Sequence, residues 1–171
     1  MAADPVADEQ ALRGHAEALG DAVVAAVPGW VRRCVHEVAD GWRPGLGARL
    51  AGEADRAAEA AVADLAPRLR HLLATDVDRQ ATGPLDLCRS VVVHPTRVLA
   101  EAGVPPRPRD EFSVRQFPDD VYDLSPASFT AIDPALTEVG LVWGAAKAHV
   151  VLARRRAEGV RPGPSPDLRE R

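Results

Sequence analysis

Apolar residues return every three or four positions along most of this chain, and nowhere do they alternate over the length of a strand. Asp4-Pro5 reads as an N-cap followed by proline at a first helical position. Leu12, Ala16, Leu19, Val23 and Val27 then form one stripe of a helix. Pro28-Gly29 is expected to interrupt it, before a second stripe through Val31, Val35, Val38 and Trp42, with Cys34 beside it. The breaker GWRPGLG, residues 41–47, closes that segment. Leu46, Leu50, Ala54, Ala57, Ala61, Leu65, Leu69 and Leu72 carry the longest periodic run, with Pro67 expected to kink or restart it and Asp64 placed to cap the restart. Arg49 with Glu53, and Asp64 with Arg68, are spaced for exposed ion pairs.

Residues 76–84 read as a connection. Leu85, Cys88, Val92, Leu99 and Ala102 predict a fourth helix, broken or bent at Pro95, and Gly103 with Pro105-Pro106 stops it. The β-branched run 91–93 would also fit a short strand, and the helical reading is preferred. Ser125-Pro126 and Asp133-Pro134 both read as helix openings, and a last helix runs from about Leu141 to Arg156. The predicted fold is all-α: a bundle of about five main helices in one domain, residues 1–158. A disordered basic, proline-rich tail follows at 159–171. No internal repeat of useful length is present.

Composition narrows this picture. The chain is 46% apolar but only 4% aromatic, so its helices must pack closely through alanine and valine. Lys147 is the single lysine, a bias that fits a high-GC coding sequence. A formal charge of −4 argues against a basic nucleic-acid-binding body. The acidic start lacks the basic and apolar parts of a secretory signal, and no unbroken run approaches the length of a membrane span. Cys34 and Cys88 sit inside apolar helical patterns, as buried free thiols would. The expected setting is the cytoplasm, with no membrane partner.

Residues 104–138 differ in character. They are rich in proline, hold Phe112, Phe117, Tyr122 and Phe129, and from 110 to 138 place seven acids against the single base Arg115. A disordered linker would be poor in aromatics, so this segment is expected to fold over the bundle. Phe117, Tyr122 and Phe129 would anchor it on the helix of Trp143, and the carboxylates of Asp119, Asp120 and Asp123 would steer it toward Arg154 and Arg155. On that reading, reversing Asp119 and Asp120 to lysine should matter less than truncating Phe117 or Phe129.

The stretches FPDDVYDLSPASF (117–129), IDPAL (132–136) and GLVWGAAKAHV (140–150), with HPTRVLAEAGVPP (94–106) upstream, resemble a family of small uncharacterised helical proteins from high-GC actinobacteria. The resemblance covers roughly residues 84–156. It implies a lineage and transfers no catalytic residues.

Candidate chemistry is sparse. His36-Glu37-x-x-Asp40 has the helical spacing of a zinc-protease motif, but aspartate replaces the second histidine and no third ligand follows. His15, His71, His94 and His149 lack ligand spacing; His149 stands out for sharing a helix with Trp143 and Lys147. Asp119, Asp120 and Asp123 offer hard oxygens to a divalent cation, without the glycine and spacing of an EF-hand. No phosphate-binding glycine loop, nucleophile elbow or dinucleotide fingerprint occurs. Arg154, Arg155 and Arg156 form one basic cluster, suited to a nucleic acid, an anionic lipid, or the negative end of a helix dipole.

These residues favour a non-enzymatic helical module for protein–protein interaction or regulation. They imply no cofactor, an unidentified protein partner, and weak self-association through alanine-rich faces such as that of Gly144 and Ala148. The alternatives are a nucleic-acid-associated protein using the arginine cluster, and a small-ligand or metal-dependent enzyme whose polar groups converge only on folding.

Overall fold

The structure, a computed structural model, describes residues 5–80 and 82–159. It is all-α, with no strand among the described residues. The expected N-cap Asp4 and nearly all of the expected tail lie outside them.

The first helix, α1, runs unbroken from Pro5 to Trp42, about 57 Å at 1.5 Å per residue. Pro28 does not interrupt it. The two predicted stripes are one: Leu19, Val23, Val27, Val31 and Val35 are all fully buried along a continuous face. An interior proline costs about 3 kcal/mol, whereas burying each valine stabilises by about 1.5–3 kcal/mol, so packing on both sides of Pro28 outweighs the lost hydrogen bond. The same argument carries the third helix, α3 (Ala51–Ala74), through Pro67, because Ala61, Leu65 and Leu69 are buried on both sides of it. Asp64 caps no restart; its carboxylate meets Arg68 at 3.2 Å and His94 at 3.3 Å.

Between them, the single-turn α2 (Leu46–Arg49) turns the chain. Gly45 takes φ 81°, and the Gly47 N–H donates to the Asp40 carboxylate at 2.7 Å. A Cβ on Gly47 would lie 2.9 Å from the His36 carbonyl oxygen, so glycine is required here. After a 3₁₀ turn (Val77–Arg79), the predicted fourth helix is two: α4 (Pro84–Ser90) and α5 (Val93–Glu101). They part at Val91 and Val92, which lets Pro95 sit in the first turn of α5, where its missing N–H matters little. No strand forms at 91–93.

Three further helices follow: α6 (Glu111–Gln116), α7 (Phe129–Ile132) and α8 (Leu136–Ala157). Ser125-Pro126 opens no helix, because Ser125 and Pro126 are held in irregular backbone by Asp120 and Arg89. The last helix starts five residues earlier than predicted, at Leu136, just after Asp133-Pro134. α1 is the spine, packing most extensively against α3 and α8. One apolar cluster joins α1 to α3, α4, α7 and α8 through residues such as Val23, Leu65, Cys88, Ile132 and Trp143. A second, at the other end of α1, gathers Val35, Val38, Leu46, Leu99, Val104 and Tyr122.

Candidate interaction surface

The aromatic, acidic segment packs against the bundle, with its expected anchors meeting partly different partners and with arginine contacts that were not expected. Arginines reach from the bundle to its backbone carbonyls: Arg33 of α1 to Ile132, and Arg89 of α4 to Pro126 at 3.0 Å. Arg109 lies within the segment and donates to the Phe117 carbonyl at 2.6 Å. Tyr122 is buried in the second cluster beside α1 and α5, and its hydroxyl donates to the Val104 carbonyl at 2.6 Å. Desolvation raises its phenol above the ordinary range. Phe117 lies under the Arg89 guanidinium, 5.5 Å from ring centre to Cζ. Only Phe129 reaches the predicted helix, packing against Gly140 at the start of α8 and against the cluster holding Trp143. Phe112 remains exposed on α6, where Asp110 accepts from the Ser113 N–H at 2.7 Å. That backbone hydrogen bond holds the Asp110 carboxyl below its usual range.

Asp120 is buried, with its carboxylate accepting from the N–H groups of Leu124 and Ser125, each at 2.7 Å. It closes a turn in which Asp123 takes φ 58°, a left-handed conformation that aspartate tolerates better than most residues. Asp119 and Asp123 stay exposed. Among the described residues no group of three or more His, Cys, Asp and Glu side chains comes together to hold a metal ion. In the zinc-like motif, His36 pairs with Asp40 at 3.5 Å, and Asp40 fastens the turn at Gly47.

The carboxylates of 119–123 do not meet the C-terminal arginines. Arg154 instead joins Glu9 of α1 at 2.8 Å and Asp76 beside the 3₁₀ turn, and His149 meets Asp8 at 3.1 Å. Lys147 donates to Gln80 at 3.1 Å with its ammonium 5.1 Å from the Trp143 ring centre. Two segments distant in sequence, the start of α1 and the connection around the 3₁₀ turn, are thus latched to α8 at one end of the bundle, and no helical periodicity reports such pairs. Glu9, Arg13, Asp76, Gln80 and Arg154 rim a cleft of about 260 Å³ there, floored by Leu12, Leu73 and Trp143.

α8 has two unlike faces. Leu136, Trp143 and Val150 point into the bundle. On the opposite side Leu141 is 69% exposed and Leu152 46%, with Gly144, Ala145 and Ala148 also exposed between them. Averaged over its best 18-residue window the helix has a mean hydropathy of 1.2, and only 17% of that window is buried. By length and composition alone α8 could therefore cross a membrane, although polar residues interrupt its apolar positions. Arg155 and Arg156 extend from its exposed end.

Fold and surface define an all-α bundle whose C-terminal helix is apolar on both sides and covered on one. No family model, curated protein or solved structure matches the chain.

Proposed function

We propose that this protein is a non-enzymatic helical interaction module whose contact surface is the outer face of α8. The observation that carries this reading is the exposure of Leu141, Val142 and Leu152 on a long helix that is otherwise anchored to the bundle. Apolar side chains gathered on one exposed face favour a contact that removes them from water. The polar groups around the end cleft support the same reading, because Arg154, Glu9 and Asp76 are engaged with one another. The arginine cluster is likewise divided, with Arg154 in that latch and Arg155 and Arg156 outside it. A photo-crosslinking residue placed at Leu141 or Leu152 in living cells is expected to capture protein, while the same residue at exposed Glu59 on α3 captures none. Absence of a protein adduct at both α8 positions would overturn the reading.

A further inference from the structure

The exposed face of α8 has a sequence that is its own complement. Glu138, Leu141, Ala145, Ala148, Leu152 and Arg155 follow one another at alternating spacings of three and four, and all six are exposed. That spacing is the a/d seam of a two-helix coiled coil. The seam covers about 26 Å of helix at 1.5 Å per residue. Turned end for end about a point between Ala146 and Lys147, it maps Leu141 onto Leu152, Ala145 onto Ala148 and Glu138 onto Arg155.

Resting on the reading of α8 as the contact face, we propose that its occupant is a second copy of this chain, the two α8 helices pairing antiparallel about a two-fold axis. Such an interface is isologous, so each favourable contact occurs twice. Ala145 and Ala148 at the centre let the helix axes approach to about 8 Å, the near end of the usual range. Leu141 and Leu152 close the seam at each end of that contact, and a Glu138–Arg155 pair lies outside each leucine layer. A parallel pair would instead set Glu138 against Glu138 and Arg155 against Arg155. The charge of the seam itself is balanced, with Glu138 at one end and Arg155 at the other, which complements a second copy of the same seam rather than a uniformly anionic membrane surface. The seam is short compared with interfaces of about 800 Å² per partner, so the dimer is weak and depends on concentration.

Sedimentation equilibrium across a micromolar series is expected to show the 18.2 kDa chain moving toward twice that mass. Leu141→Asp should remain monomeric with an unchanged far-ultraviolet spectrum. Glu138→Arg and Arg155→Glu should each weaken association by roughly tenfold, equivalent to 1.4 kcal/mol, and the double variant Glu138→Arg/Arg155→Glu should restore it. Register has its own readout. Under mild oxidation a mixture of Leu141→Cys and Leu152→Cys chains should form the mixed disulfide, and Leu141→Cys alone should not; native Cys34 and Cys88 are buried and stay out of the reaction. A monomer at every concentration, or a disulfide joining Leu141→Cys to itself, overturns the antiparallel pair. So does binding of the wild type to neutral or anionic vesicles that Leu141→Asp abolishes. If the chain stays monomeric while the photo-crosslinker at Leu141 captures a different protein, this inference fails and the interaction-module reading stands.

Discussion

Asp119 and Asp120 are neighbours of one chemical type with opposite fates, and nothing in the sequence separates them. Asp119 is exposed, whereas Asp120 is buried and accepts two backbone hydrogen bonds. Reversing the pair to lysine is therefore far from mild. Asp120→Lys should unfold the 120–125 turn, and Asp119→Lys should change stability by less than about 0.5 kcal/mol. Tyr122→Phe, which removes the hydrogen bond to Val104 and leaves that carbonyl unpaired, should cost about 1–2 kcal/mol in chemical denaturation. The buried thiols, by contrast, were legible from their apolar neighbours. Burial is the main cause that pushes Cys34 and Cys88 from an ordinary 9.0 up to about 12. Below pH 9 both are protonated in the folded and unfolded chain, and stability is fully present. As pH rises from about 9 to 12 the unfolded state sheds protons that the fold retains, so stability falls. Thermal melts should show that alkaline decline, and Cys34→Ala with Cys88→Ala should flatten its slope.

Elements were legible where one face is apolar, and misread where a local breaker competed with burial. Pro28 and Pro67 carry a local penalty visible in the sequence, while the packing that exceeds it depends on partners contributed by other helices. The all-α class followed directly from the 3.6-residue period; the continuity of α1 did not. Within α8, glycines make the same point in opposite directions. A Cβ at Gly140 would come within 2.8 Å of the Phe129 ring, so Gly140→Ala should destabilise by about 1–2 kcal/mol. Gly144 meets nothing within 4 Å, and Gly144→Ala should stabilise the monomer by about 0.5–1 kcal/mol through helix propensity. Equilibrium denaturation of the two variants side by side checks both signs. The outer stripe of α8 was foreshadowed by Gly144 and Ala148, but which side of the helix would face inward was fixed only by the burial of Leu136, Trp143 and Val150 against the bundle.

At the scale of the whole molecule, the segment 104–138 folds onto the bundle as its aromatics predicted, yet the charge pattern pointed to the wrong end. Acids and arginines close in sequence were expected to meet; in the fold Arg154 is joined to Glu9, 145 positions away, and to Asp76. Arg154→Ala should remove that latch and lower stability by about 1 kcal/mol, the upper end for a half-exposed pair, read as a fall in melting temperature of a few degrees. The long reach of α1 to α8 has a further consequence for synthesis. α1 and α3 are near in the chain and can pair early, but the side of α1 that receives α8 waits for another 115 residues after Trp42. At ~5–20 residues per second that interval is roughly 6–23 s. Throughout it the nascent chain presents an open apolar flank to chaperones and proteases. A stalled ribosome or truncated message would therefore release an adhesive fragment in place of a smaller working domain.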